Sequence, residues 1–343
     1  MDLRQTLGAV APGTDLRDGL ERILRGRTGA IVVLGYDEVV ESLCSGGFKL
    51  DVEFTAARLR ELAKMDGAVI IDGHTIRRAN VQLLPDHTIG SLETGMRHRT
   101  ADRVARQSGF PVISVSQSMR IITLYVAGAR YPIEGSDLII SKANQALSTL
   151  ERYVARLEEV LASLTALEVE DLVTVRDVVI AMQRLEMVSR IWDEAEGYVI
   201  QLGTDGRLLN LQLEELVSGI DRGRALIVAD YLEADAETVH QRMGTLTATQ
   251  LANPEEVARV LGLKQGGLDT PLESRGHRLL SHIARLPESV AETIALHAGN
   301  LQALLSFSLE DLQQIDGIGP YRARLVREGL AQLAESAILE RRY

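Results

Sequence analysis

Glu93-Thr94-Gly95-Met96-Arg97-His98-Arg99-Thr100-Ala101-Asp102 is the stretch that decides how the first part of the chain is read. Behind Gly95 come two arginines, a histidine and a threonine, and the helix-favouring pair Val104 and Ala105 follows at once. The pattern predicts a turn feeding the start of a helix. Backbone N–H groups at a helix N-terminus lack intrahelical partners and carry partial positive charge, so an anion placed there gains hydrogen bonds as well as field. Arginines add planar, permanently charged donors that can take phosphate oxygens in pairs. An anion-binding turn and a solvated basic helix start are both compatible with these residues alone.

On either side the chain alternates. Thr14-Asp15 followed by Leu16, Leu20, Ile23 and Leu24 predicts a capped amphipathic helix ending near Gly26. Ala30-Ile31-Val32-Val33-Leu34 and Gly67-Ala68-Val69-Ile70-Ile71 are short, continuous apolar runs, which read as buried strands, with a helix over Thr55 to Leu62 between them. Ile76 to Leu84, Pro111 to Val115 and Ile121 to Val126 supply further strands. The expectation is an α/β domain with a central mixed sheet over residues 1–141.

Composition bounds the rest. The 343 residues are 45% hydrophobic and 25% charged, which suits two or three globular domains with substantial cores. Aromatics are only 4%, so those cores are aliphatic. No apolar run approaches the roughly 20 residues that span a bilayer, and Met1-Asp2-Leu3-Arg4 opens no signal-peptide core, so no membrane partner is expected and the chain reads as cytoplasmic. A single cysteine, Cys44, excludes an internal disulfide and a cysteine-based zinc site. The net charge of −11 argues against a protein that coats nucleic acid indiscriminately. Charge is uneven, however. Glu273 to Tyr343 holds eight arginines against nine carboxylates, net −1, leaving −10 elsewhere, so only the C-terminal end could approach a phosphate backbone.

After residue 141 the period changes. Ile140, Ala143, Leu147, Leu150, Val154, Leu157, Leu161 and Leu164 step by three and four, a heptad seam that must be covered by another helix. Glu170 to Gln201 and Leu208 to Leu232 are also helical in period, so residues 142–270 read as an all-α spine, with a hinge expected at Gly262 to Pro271. In residues 271–343, Ile315-Asp316-Gly317-Ile318-Gly319-Pro320 separates two helical runs. This is the signature of a helix-hairpin-helix module, whose glycines let backbone come close to a phosphate, with Arg322 and Arg324 beside it. Ile283-Ala284-Arg285-Leu286-Pro287-Glu288 has the same rhythm without glycines and reads as a degenerate first copy. A glycine turn in a protein-interaction domain is the competing interpretation.

Asp66-Gly67-Ala68 places a carboxylate at the entry of a strand, where it can hold Mg²⁺ or Mn²⁺ against phosphate oxygens. Alone, Asp-Gly before a strand is only a turn signal. Together with the basic turn some 30 residues on, it forms a possible metal and phosphate constellation.

Asp66-Gly67-Ala68 and Arg97-His98-Arg99-Thr100-Ala101 resemble the two signature motifs of diadenylate cyclase domains. With the heptad helices and the C-terminal hairpin, the whole chain resembles the family of DNA integrity scanning proteins. The resemblance implies an enzyme that condenses two ATP into cyclic di-AMP and two pyrophosphates with a divalent metal. It implies Asp66 as metal ligand, Gly67 and Ala68 along the nucleotide, and Leu83 on the adenine. Thr94, Gly95, Arg97, His98, Arg99, Thr100 and Ser116 would hold phosphates. It further implies a homo-octamer joined through facing cyclase domains, and binding of branched DNA such as Holliday junctions through Gly317, Ile318, Gly319, Arg322 and Arg324. Where the family carries a basic pair after Gln117, Ser118-Met119 stands here, and Asp102 stands where glutamate is expected. A junction-binding scaffold that only senses ATP, and a transferase acting on a polymer end, are the alternatives from the residues themselves.

Overall fold

The structure, a computed structural model, describes residues 2–263 and 266–340. It forms two compact units, Met1–Gln145 with Glu194–Leu213, and Ala146–Asp193 with Glu214–Tyr343.

The first unit is built on eight strands: β1 Ala30–Leu34, β2 Cys44–Ser45, β3 Phe48–Glu53, β4 Ala68–Asp72, β5 Thr75–Leu83, β6 Val112–Ser116, β7 Ile121–Val126 and β8 Ala129–Ile133. Their order is β2-β5-β4-β1-β6-β7-β8, with β3 also paired to β5. β1 and β4 run parallel, with Val32 opposite Val69, and every other pair is antiparallel, so the sheet is mixed. Helices α1 Leu3–Ala9, α2 Asp15–Arg25, α3 Glu38–Leu43, α4 Ala56–Leu62 and α5 Met96–Ser108 cover it. Alternation along the central strands divides two cores: Val32, Val69, Ile113 and Leu124 pack with Leu20, Ile23 and Leu59, while Val33, Ile70, Val112 and Tyr125 pack with Ala101 and Val104. Both faces are covered, which is why β1 and β4 are continuous apolar runs. The helices start where short polar side chains accept first-turn N–H groups, Thr14 from Arg17 and Thr55 from Arg58. Three strands, β2, β3 and β8, escape the sequence reading. β3 is half exposed with polar residues interleaved, and β8 pairs only β7 and contains Pro132, which an edge strand tolerates.

The long helices α6 Ser136–Glu170 and α7 Val175–Leu202 contribute residues to both units. The heptad seam lies on α6, and its members Leu150, Leu157 and Leu164 are buried within the chain itself. The helix expected from Glu170 starts only at Val175, because Asp171 is left-handed and the Asp177 carboxylate accepts the N–H and hydroxyl of Thr174. The helix expected over Leu208 to Leu232 is two, α8 Arg207–Val217 and α9 Ile220–Tyr231, parted at Gly219 with φ of 93°. Then follow α10 Ala236–Gly244, α11 Ala248–Leu251 and α12 Pro254–Leu261. Of the expected hinge, Lys264 and Gln265 lie outside the described residues. Its other end is strapped to the start of α7: Arg176 donates to the Leu268 carbonyl, Val175 to Thr270, and Leu272 to Val173.

Two helix-turn-helix copies close the chain: α13 His277–Ser281 with α14 Glu288–Ala298, and, after α15 Leu301–Ser306, α16 Leu309–Gln313 with α17 Pro320–Glu340. They share one core of Leu279, Leu280, Ile283, Ile294, Leu301, Leu304, Leu312, Ile315, Ala323 and Val326. Among the described residues, no helix is long and apolar enough to cross a membrane.

Candidate functional site

An open cleft of about 710 Å³ lies where β1 and β4 begin. Ile31, Asp66, Gly67, Ala68, Leu83, Met96, Arg97 and Thr100 line it, with the Ser45-Gly46-Gly47 turn and Asn80 of β5. The sheet therefore brings the Asp-Gly-Ala entry of β4 and the basic start of α5 to one place. Arg97 Nη2 stands 4.0 Å from Asp66 Oδ1. The Asp66 side chain is otherwise wholly exposed, so it is free to take a ligand from solvent. Arg97 reaches it by lying over Gly29, where any Cβ would come within 2.4 Å of Nη1.

Gly67 has a structural reason of its own. Its φ is 137°, and a Cβ there would stand 2.7 Å from the Asn80 carbonyl carbon. A Cβ on Gly47 would likewise meet the Ala79 carbonyl at 2.6 Å. Asn80, with φ of 54°, lies where the β4–β5 register slips, and these two glycines accommodate it. Gly29, Gly47 and Asn80 carry no sequence signal that distinguishes them from ordinary turn residues.

At the start of α5 the N-cap is Gly95, which offers no side chain to the first-turn N–H groups. The first turn thus keeps its donors for an outside acceptor. Thr94 and Gly95 are exposed beside it, and the Arg99 guanidinium turns back onto the Glu93 and Thr94 carbonyls at 3.1 and 3.2 Å.

His98 faces inward. It is 5% exposed, its Nδ1 lies 2.8 Å from the Tyr125 hydroxyl, and its Nε2 is buried without a partner. Burial pushes its pKa below the ordinary histidine value, opposed by the Glu93 carboxylate and reinforced by Arg130 and Arg97. Ser114 and Thr123, opposite each other on β6 and β7, also bury hydroxyls that have no partner. Ser116 ends β6, buried, its Oγ accepting from the Met119 N–H at 3.3 Å, so it braces the Ser118-Met119 turn. His98, Arg99, Thr94, Gly95 and Ser116 are not among the cleft-lining side chains.

No group of three or more His, Cys, Asp or Glu side chains could hold a metal ion among the described residues. The donor set at the cleft is the single Asp66 carboxylate. That set fits a hard cation that draws its remaining ligands from phosphate oxygens and water.

In the second hairpin Gly317 has φ of 81°, Ile318 is buried and its N–H donates to the Ile315 carbonyl. A Cβ at Gly317 or Gly319 would meet no protein atom within 4 Å, so the hairpin's outer side is open. Arg322 donates from Nη1 to the Gly317 carbonyl at 2.8 Å, bracing the turn, while Arg324 is exposed. The first hairpin follows the same course with Arg285 in the glycine place and Glu288 opening α14, a carboxylate at the helix start where a phosphate would otherwise sit.

The family profile described as DisA bacterial checkpoint controller nucleotide-binding matches residues 17–130, and that described as DisA bacterial checkpoint controller linker region matches residues 133–268. The chain is 60% identical over 348 residues to the DNA integrity scanning protein DisA of Kineococcus radiotolerans, covering 99% of this chain and 97% of that one. It is 59% identical over 347 residues to the protein of the same name from Frankia casuarinae, covering 98% and 97%. The corresponding Streptomyces coelicolor protein is 56% identical over 350 residues, covering 99% and 94%.

Proposed function

We propose, since the chain belongs to the DNA integrity scanning protein (DisA) family, that its nucleotide-binding domain is a diadenylate cyclase. The observation that carries the reading is the meeting of Asp66 and Arg97 across an open cleft at the uncapped start of α5. Two ATP molecules are consumed. Each 3′-oxygen bonds to the α-phosphorus of the other nucleotide, each α–β phosphoanhydride bond breaks, and two pyrophosphates leave with the hydroxyl protons passing to solvent. The product is cyclic di-AMP.

The residues divide the work by chemistry. Thr100, Arg97 and the first-turn N–H groups of α5 hold phosphate oxygens, with Arg99 and Thr94 at the rim. Leu83, with Gly67 and Ala68, lines the nucleoside. Asp66 orients the attacking 3′-hydroxyl. Asp66 would hold a Mg²⁺ or Mn²⁺, which would supply positive charge beside the phosphate oxygens and the attacking hydroxyl. One cleft holds one ATP, so a symmetric product requires two protomers face to face, and a homo-octamer built of such pairs satisfies this.

The second hairpin is proposed to bind branched DNA, Holliday junctions included, through backbone N–H groups with Arg324 beside them. On this reading the protein would act in the cytoplasm, where ATP and DNA are both available. The test is incubation of the purified protein with ATP and Mg²⁺ or Mn²⁺ and identification of the product by mass. Cyclic di-AMP supports the reading; unchanged ATP, or a product of another mass, refutes it.

A further inference from the structure

The Ser45-Gly46-Gly47 wall of the cleft is poorly placed to hold its own shape. Gly46 and Gly47 are exposed and follow one another with φ of 66° and 73°, and a Cβ at Gly46 would meet no atom within 4 Å. Glycine backbone has more conformational freedom to lose than that of any other residue. A turn of two glycines that stays in one shape therefore needs a hold from outside itself. Arg78 on β5 supplies it. Its side chain, only 11% exposed, donates from Nη2 to the Gly46 carbonyl at 2.9 Å and from Nη1 to both carboxylate oxygens of Glu41 on α3 at 2.8 Å. The Tyr36 hydroxyl donates to the same carboxylate at 2.6 Å, and that bond together with Arg78 holds the Glu41 carboxyl below its usual pKa, so the pair is charged at neutral pH.

The guanidinium fork thus has two duties. One arm is anchored in the ion pair, and the other grips the turn. None of Tyr36, Glu41 and Arg78 lines the cleft itself. The place of the turn says which part of a nucleotide it serves. Cys44 and Ser45 pair with Leu83 and Gln82 of β5, so the turn stands beside Leu83, whereas Arg97 and Thr100 enter the cleft from α5. With phosphates held at α5 and the nucleoside at Leu83, the turn is a wall of the nucleoside end.

We infer that Arg78, anchored by Glu41 and Tyr36, is a positioning residue that presets the Ser45-Gly46-Gly47 turn as the nucleoside wall of the cleft. The inference deepens the proposed nucleotide site and rests on it. A preset turn does not have to be ordered when the nucleotide binds. Leaving even one of its residues to be fixed on binding costs roughly a factor of ten in affinity. The nucleoside end touches the bound substrate and the transition state alike, so the loss falls on the binding constant and KM and spares kcat. Lysine separates the two duties of the fork. Its side chain ends about one bond short of the guanidinium nitrogens and has a single ammonium, so at position 78 it keeps a charge facing Glu41 but has no second arm for the Gly46 carbonyl. Methionine keeps neither.

The test uses the full-length protein with 3′-deoxy-ATP and Mg²⁺, a ligand that has no attacking hydroxyl, so binding is seen without turnover. Titration calorimetry gives Kd, hydrogen exchange without nucleotide reads the order of residues 44–48, and turnover of saturating ATP gives kcat. Arg78→Lys is expected to weaken binding about tenfold, to speed exchange over residues 44–48 and to keep kcat within about twofold. Arg78→Met should do the same and also lower the melting temperature, because it leaves Glu41 without its cation. Should Arg78→Met fail to fold, Arg78→Lys decides. Wild-type affinity in Arg78→Lys, or unchanged exchange over residues 44–48, would reduce Arg78 to a fold-stabilising role and overturn the inference, leaving the nucleotide reading standing. A fall in kcat with binding unchanged overturns it equally. Failure of 3′-deoxy-ATP to bind the wild type overturns both.

Discussion

Arg285 and Gly317 stand at the same place in the two hairpins, with φ of 66° and 81°. Two residues before them, Ile283 and Ile315 are both buried and their carbonyls accept the N–H of Leu286 and Ile318. The turn is thus held by core packing and a backbone hydrogen bond, strongly enough to keep an arginine left-handed. For an L-residue with a Cβ that conformation costs about 1 kcal/mol more than for glycine. Arg285→Gly should raise the stability of the C-terminal unit by up to about 1 kcal/mol, less the extra chain entropy of glycine in the unfolded state. Calorimetric melting checks it: an unchanged or lower melting temperature would mean the position is unstrained.

Asp66 and Gly67 are neighbours with separable roles. The Asp66 side chain is fully exposed, with the Arg97 guanidinium 4.0 Å away, so Asp66→Asn should leave the melting temperature nearly where it was and lower cyclic di-AMP formation by about 10²-fold or more, the scale expected when a charge is lost from metal-assisted phosphoryl chemistry. Gly67→Ala should behave in the opposite order, losing stability first, since its Cβ would press on the Asn80 backbone. Parallel rate and melting measurements on the two variants read both effects. Near wild-type turnover by Asp66→Asn would remove Asp66 from the chemistry.

The first hairpin is joined to its surroundings in the second unit by a buried ion pair. Arg278 on α13 lies 2.8 Å from Glu168 on α6, their side chains 5% and 0% exposed, and the Tyr231 hydroxyl donates to the same carboxylate at 2.6 Å. Arg278→Met strands a buried carboxylate and should cost about 3–5 kcal/mol, whereas Arg278→Met combined with Glu168→Leu should recover most of that loss. Denaturant titration of the single and double variants gives the coupling directly. Equal losses in both would show that the pair is not a unit.

What could be read ahead of the structure follows burial. β1 and β4 were legible because both their faces are covered, and the helices because their caps and periods agree. β3 and β8 were not, since an edge strand answers to pairing more than to pattern. The inward face of His98 has a signal in the spacing His98, Ala101, Ala105, one side of a helix. The arginines on either side of it obscured that signal. The heptad seam was legible as a surface needing cover, but a pattern of leucines does not say whether the cover comes from another chain or, as at Leu150 and Leu157, from this one.

The last expectation links hairpin and cleft. Binding through hairpin N–H groups depends on salt and little on base sequence, since phosphates carry no sequence information. One such site per protomer is weak on a chain of net charge −11. Several sites held in one assembly gain effective concentration, and a branched duplex can engage more of them than a straight one. α6 and α7 contribute residues to both compact units and are the chain's covalent route between hairpin and cleft. Bound junctions can shift the cyclase only through different affinities for its active and inactive arrangements, and couplings of this kind are typically about 1–3 kcal/mol, or 5–150-fold. Four-way junctions should therefore lower cyclic di-AMP formation while linear duplex of equal length has much less effect. Gly319→Val is the cleaner of the hairpin variants, because Gly319 needs no left-handed backbone and its missing Cβ faces open space, whereas valine at Gly317 would also strain the turn. It should abolish inhibition by denying a phosphate its close approach, and leave the rate without DNA unchanged. Equal rates with junction, with duplex and with no DNA would show the hairpin and the cleft to be uncoupled.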